Sequence, residues 1–593
     1  MAVRYRVSPR GGMGVHRDIA SALAAAARRG RPARVEIGPG RYPELLVVRG
    51  EVELVGTGEP GSVVVGRPGG VVCETAGAVQ LRGLVVVAQD ADAVHCRTGT
   101  LTLDRTEVRA PGAAAVHAWP GTAATLRDSV FRFGRVAIVG ADGLVERCVF
   151  EDAADNCLAA VDGGRLVATD SRFARSRLHA VRINHGRGEV VRCAVTGTGG
   201  AALIADGGSE LTVADCAVDG VNREAIAFTE RSHGSVDRTR VTDAEHGIAV
   251  NDGSDALVRD SSFVRCRDTG INVRTAGRGR YENCEVADAG NVAVFVTDGG
   301  APELHGGRIA DGNVGIVVSG NRSRGRFTGV RVEDMTGVGL RAYEGGKAVF
   351  EQVIVERCAT HLETRGDAGT TAEVRGGRFV DFSLSAVEAL GQSRVTLRDV
   401  TAERGMVGFA VAEQAQLFVH DCVARDLTSS GAAAMGKGRL VARNLTVTGS
   451  EAIGLMGSET GVLDVRDSEF TDCAAVGVLV VGDSVARLVD CGVSGTGEAA
   501  VHHSGHVDLV GLRTELPVTR MKKENHPTPT IVNQYGPVFN GVAQGIQIAY
   551  GNHGPVEQHQ HHHHHQQAPR PRPGSRPGPG SRPWTDEDGS SHG

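Results

Sequence analysis

A chain of 593 residues with net charge −6 and interspersed acidic and basic side chains carries no basic footprint for nucleic acid or an anionic membrane surface. Gly is abundant at 82 residues and aromatics are scarce at 4%, as expected of many tight turns around a core of small aliphatics. A phrase recurring every 22 to 24 residues makes length a poor count of domains, since a solenoid grows without the size limit of a globular core.

The chain opens with an entry segment, residues 1–45. Its first residues lack the apolar core of a secretory signal, and no later run reaches the ~20 apolar residues of a membrane span. The location expected on that ground is the cytosol. Ile19 to Ala27 is Ala-rich and predicts a short helix, with Asp18 as N-cap and Gly30 as stop. Ala33 to Ile37 alternates as a strand and runs into the turn Pro39-Gly40-Arg41-Tyr42. A solenoid needs its first coil covered, and the helix is the natural cap.

From residue 46 to 515 the repeated phrase dominates. Its anchors fall at Cys148, Ser171, Cys193, Cys216, Thr239, Ser261, Cys284, Gly307 and Val330, and continue to Cys491. Short alternating segments separated by Gly, Asp, Asn or Ser predict strands of three to five residues, two or three to a rung. Residues in equivalent positions then stack about 4.8 Å apart. One inward column reads Val181, Ala202, Ile226, Ile248, Ile271, Val294, Ile316, Leu340, Leu362, Val387, Phe409, Ala433, Ile453 and Val478. The fold class expected is all-β, a right-handed parallel β-helix of roughly 19–20 rungs. Seven of the twelve Cys lie at or near the phrase, where a small apolar side chain is wanted, and read as reduced core residues.

The opening helix, the apolar strand, the Pro39-Gly40-Arg41-Tyr42 turn and Leu45 to Val48 resemble the start of right-handed parallel β-helix proteins of the pectinesterase and pectate-lyase superfamily. That resemblance, with the repeats, spans residues 1 to 515 and implies the fold; the superfamily contains enzymes and non-enzymes alike.

Residues 516–530 form a polar linker containing Pro527 and Pro529. Residues 531–552 are uncharged and apolar, punctuated by Asn533, Gly536, Val538, Asn540, Gly541, Gly545, Ile546, Gln547, Ile548, Gly551 and Asn552. Such a segment favours in-register β-stacking. It resembles bacterial amyloid signalling motifs, and Ile546-Gln547-Ile548-Ala549 is similar to the Ile-Gln-Ile-Gly core of RHIM-type motifs; Ala549 in place of Gly and the intervening Pro537 are departures. A strand docked on the last rung is the other reading of this segment. Residues 553–593, with His561 to His565 and a Pro/Arg/Gly/Ser tail, lack the apolar surface to fold and read as a solvated spacer.

For catalysis, carboxylates at rung ends are the first candidates. Asp206, Glu230, Asp252 and Asp298 lie close to His185 and Arg274, and coupled carboxylates on neighbouring rungs can serve as acid and base. Asp206-Gly207, Asp252-Gly253 and Asp298-Gly299 are equally turn pairs. Of sugar-stacking aromatics, Phe295 and Tyr343 take outward positions on this face and Trp119 is placed elsewhere. No phosphate loop, HExxH, CxxC or GxSxG occurs, and no cofactor or metal site is read. The function expected is therefore a non-enzymatic cytosolic scaffold that recruits protein partners through residues 531–552, with no nucleic-acid or membrane partner. The alternative is a carbohydrate-active enzyme, lyase or hydrolase, using carboxylates on one outward sheet face.

Overall fold

The structure is a computed structural model that describes residues 2–521. Ile19–Arg29 is the one α-helix among the described residues. Extended Asp18 caps it, its carboxylate accepting from the Ser21 amide at 2.7 Å, and left-handed Gly30 closes it by donating to the Ala26 and Ala27 carbonyls. Glu44 accepts from the Ile19 and Ala20 amides at 2.9 and 2.7 Å, placing negative charge at the positive end of the helix. Ile19, Ala22, Leu23 and Ala26 are buried, facing the strands Val3–Val7, Ala33–Ile37 and Leu46–Gly56. Burying side chains the size of Ile19 and Leu23 contributes about 1.5–3 kcal/mol each.

Beyond this cap the chain winds as a right-handed parallel β-solenoid of about 21 turns. A typical turn has three strands, as in Val181–Asn184, Arg187–Val191 and Ala194–Thr196. Each pairs in parallel with its counterpart one turn on: Val181 with Leu203, Arg187 with Glu210, Ala194 with Ala217. Three parallel sheets result, called here the first, second and third in that order. In the longest strands, such as Thr371–Ala389 and Gln416–Ala434, one element bends through more than one sheet.

Alternation along each strand sends every second side chain inward, and those side chains are almost completely buried. In the third sheet Phe131, Phe150 and Phe173 stack with centroids 4.8 Å apart, the separation dictated by the spacing of turns.

The recurring phrase marks the bend between the second and third sheets. The residue before each anchor is left-handed: Asp128, Arg147, Asp170, Arg192, Asp215 and Arg238 all have φ between 43° and 53°. Asp and Arg alternate there, so bidentate pairs form between turns, such as Arg147 with Asp128 at 2.8 and 2.9 Å and Arg192 with Asp170 at 2.7 and 2.8 Å. The anchors are more than apolar fillers. Ser171 accepts from the Cys148 amide at 3.0 Å and donates to the Thr169 carbonyl at 2.8 Å; Ser261 likewise serves Thr239 and Arg259. Small residues with a donor-acceptor head suit a buried bend because they satisfy backbone groups that the strands leave unpaired.

All twelve cysteines are free and buried. Burial pushes the Cys73, Cys157 and Cys266 thiols up to about 12 and holds Cys148 and Cys422 at about 11, well away from the thiolate needed for reaction. A thiol reagent at neutral pH is expected to label none of them in the folded protein and all twelve after unfolding. Rapid labelling of several sites in the native state would contradict the buried assignment.

The strand register corrects the inward column at three positions. Val181 pairs with Leu203, not Ala202; Phe409 with Ala432, not Ala433; and Ala432 with Leu455, not Ile453. Turn lengths vary between rungs, so spacing in sequence drifts from position in space. The last described strand is Val518–Arg520. Residues 531–552, expected to stack as a β-motif, and the 553–593 tail lie outside the described residues. Among the described residues no helix is long and apolar enough to cross a membrane.

Candidate functional site

The outward column of the first sheet lies one residue beyond the inward one. It runs Asn272, Phe295, Val317, Arg341, Glu363, Glu388, Ala410, Ala433, Met456, each paired with the next across the ladder. Its charged members form a polar island. To one side lie Val292, Val314, Val317 and Val338, packed with Phe295 and Tyr343; to the other lie Val407, Ala410, Ala433, Ile453 and Met456.

Arg341 and Glu363 are an ion pair, each side chain only 11% exposed. Arg341 Nη2 donates to Glu363 Oε2 at 3.2 Å. Arg341 Nε lies 3.1 Å from Oε1 but is turned off the line, so this buried N–H has no hydrogen-bond partner. Glu388, one turn on, is 8% exposed. Burial first, and the negative charge of Glu363 second, push its carboxyl up to about 7, against the opposing pull of Arg365 and Arg341. Arg365 is itself drawn toward Glu413, 4.0 Å away. Glu333 shows the opposite outcome elsewhere in the solenoid. Burial raises it too, but hydrogen bonds from Arg331, Arg308 and Arg357 more than offset this and bring it down to about 2. Its oxygens are saturated, whereas Glu388 retains a proton near neutrality.

The arrangement therefore offers two carboxyl groups in different states on adjacent turns: a charged, ion-paired Glu363 and a proton-bearing Glu388. A neutral carboxyl beside an ion-paired one can divide acid and base roles between them.

The rung-end candidates are more dispersed. Asp206 is buried and fully engaged, with Arg182 at 2.7 and 3.0 Å and Asn184 at 2.8 Å. Glu230 and Asp252 are left-handed turn residues that share an open depression of about 540 Å³ with His185 and Arg231. Glu230 accepts from the Gly207 amide at 3.0 Å and Asp252 from the Thr229 hydroxyl at 2.6 Å. Asp298 is also left-handed and, like Arg274, does not line that depression. Trp119 lies just past the strand Ala114–Ala118, near the N-terminal end of the first sheet, and stacks on His117 at 5.2 Å. Asp92, His95 and His117 in that region have the composition to hold a metal ion.

Sequence reasoning did not reach Arg341, Glu363 and Glu388. The signal was present: each directly follows a member of the inward column, Leu340, Leu362 and Val387.

The fold and this outward face define a right-handed parallel β-helix protein. Its sequence matches the model of the right handed beta helix region family over residues 135–277, 246–380 and 362–511, and the chain belongs to that family. Among solved structures it is similar to a PL6 family alginate lyase, AlyGC, at 11% identity and TM-score 0.26, covering 86% of this chain and 100% of that one. It is also similar to a GH87 α-1,3-glucanase catalytic unit from Streptomyces thermodiastaticus (13%, TM-score 0.20, covering 78% and 66%) and to the pectin methylesterase of Aspergillus niger (14%, TM-score 0.20, covering 51% and 83%). Among curated protein sequences none matches. Likenesses at this identity show the fold alone. The expectation of a non-enzymatic scaffold is corrected to its alternative; the solved β-helices named above are carbohydrate-active enzymes, a description of those proteins and not of this chain. Among carboxylates that expectation considered the turn residues Asp206, Glu230, Asp252 and Asp298, and did not reach the strand-borne Glu363 and Glu388.

Proposed function

We infer that the protein is a polysaccharide-active enzyme of the hydrolase type, with its chemistry on the outward face of the first sheet. One observation carries this reading: Glu388, holding its proton up to about pH 7, stands one turn from Glu363, whose charge is paired with Arg341. Glu388 donates a proton to the glycosidic oxygen as the bond to the anomeric carbon breaks. Glu363 faces the positive charge that develops there, as nucleophile or electrostatic partner. Arg341 holds the Glu363 carboxylate in place, its Nη2 donating to Oε2 at 3.2 Å. Phe295 and Tyr343 supply apolar faces along the same sheet for sugar rings. Hydrolysis is favoured over elimination because Arg341 is already paired with Glu363, leaving little free positive charge to neutralise a uronate carboxylate.

The test is product analysis with full-length protein on a panel of neutral and acidic polysaccharides. Saturated reducing ends are expected, and Glu363→Gln is expected to lower the rate by at least ~100-fold, within the range for a positioned catalytic group. Unsaturated ends would replace hydrolysis by elimination. No cleavage of any polymer, or a Glu363→Gln variant as active as the parent, would overturn the reading.

A further inference from the structure

We propose that Asp92, His95 and His117 form a binding site for a divalent transition ion of the zinc type, at the N-terminal end of the first sheet and separate from the carboxylate pair. His95 and His117 are brought together by the solenoid itself, being ladder partners on successive turns. Asp92 lies three residues before His95, at the entrance to the same strand. One potential ligand atom from each of the three lies within 4.8 Å of the others. His95 Nε2 is 2.9 Å and His117 Nδ1 3.4 Å from the same oxygen, Asp92 Oδ2. A tetrahedral zinc ion with bonds of about 2.0–2.2 Å needs ligand–ligand edges of roughly 3.3–3.6 Å, so only small side-chain rotations separate this set from coordination.

Two further features point to a ligand. The first is His95 Nδ1, which is buried without any hydrogen-bond partner in a residue only 8% exposed. The second is support from the surroundings. Asp92 Oδ1 is occupied by the Ala114 amide at 2.8 Å, which fixes the carboxylate with Oδ2 toward both imidazoles. His117 is held flat against Trp119 at 5.2 Å, and Trp119 lies beneath the Arg97 guanidinium at 4.8 Å. Outer contacts of this kind orient metal ligands. Two nitrogens and one carboxylate oxygen suit zinc and its neighbours better than calcium or magnesium, which take oxygen ligands. Asp92 and His117 remain partly exposed, so a fourth position is open to water or to an oxygen of a bound molecule.

A run of histidines such as His561 to His565 is also able to take up such ions, and the experiment must separate the two. Full-length protein, Asp92→Asn and His117→Ala, all retaining the tail, are dialysed against Zn2+ and compared for bound metal and for thermal unfolding. The parent is expected to hold one equivalent more than either variant. Zn2+ is expected to raise its unfolding temperature, with at least ~10-fold weaker binding and no such shift in the variants. Circular dichroism of the metal-free proteins checks that the variants fold. If neither folds, Co2+ absorption of the parent decides: intense four-coordinate bands support the site, and weak six-coordinate absorption alone overturns it. Equal metal content and equal thermal shifts in parent and folded variants would overturn it as well, leaving Asp92 as a structural partner of the two histidines.

Discussion

Replacing Glu388 by Gln is expected to reduce polysaccharide cleavage by about 10²–10⁴-fold while making the folded protein more stable above neutral pH. The two effects share one cause. Glu388 titrates near 7 in the folded protein, against an ordinary value of 4.5, chiefly because burial disfavours its charged form. The folded state therefore binds a proton that the unfolded chain releases between pH 4.5 and about 7. Stability contributed by this group is full below pH 4.5 and falls as pH rises through that window. At pH 8 the shift corresponds to about 3 kcal/mol of destabilisation. Gln has the same shape, stays neutral at every pH and avoids that cost, but it cannot protonate a leaving oxygen. Denaturant unfolding at pH 5 and pH 8 should show the variant gaining stability relative to the parent only at the higher pH. In the same series, the parent's rate should decline as pH rises past 7, where its acid is lost. A variant that keeps its activity, or shows the same stability difference at both pH values, would remove Glu388 from the role assigned to it.

That site was legible in part. The period of the phrase and the turn residues around it follow from local chemistry, since a left-handed bend takes Asp, Asn or Gly and the next position takes a small residue. Arg147 and Arg192 occupy left-handed positions too, for which a single sequence offers no local reason; the reason is the Asp one turn away, 2.8 Å from Arg147 and 2.7 Å from Arg192. The same limit applies to Glu388. Its burial and its unanswered charge come from residues on neighbouring turns, which are more than twenty positions distant in sequence. Register is the missing quantity: turn lengths that differ by a residue put the inward column at Leu203, one position after Ala202, and at Ala432, one position before Ala433. Once Leu340, Leu362 and Val387 are fixed as inward, alternation alone places Arg341, Glu363 and Glu388 on the outer face. The helix was readable to within two residues because its signals, Asp18 and Gly30, are local. The estimate of 19–20 rungs fell short of about 21 because the first turns carry the phrase only weakly.

Phe150→Ala is expected to cost about 3–5 kcal/mol, and to act on part of the solenoid before the whole. Phe150 is 1% exposed and sandwiched between Phe131 and Phe173, both 4.8 Å away and within 16° of parallel. Its removal takes away two ring contacts at once and leaves a cavity bounded by backbone that is fixed in three sheets and cannot collapse to fill it. Phe131→Ala should cost less, because Phe131 stacks on one ring only and meets Val108 on its other side. The difference expected from the lost aromatic pair is about 0.5–1.5 kcal/mol. Since each turn touches chiefly its neighbours, the loss enters as a weakened interface between adjacent repeats. Hydrogen exchange should therefore accelerate first in the strands Val130–Arg132, Val149–Glu151 and Arg172–Ala174. Strands such as Val462–Arg466 should keep their protection. Equal costs for the two variants would show that the stack adds nothing beyond burial. Uniform loss of protection along the chain would show that the solenoid opens as one cooperative unit and that its stability is not a sum over neighbouring turns.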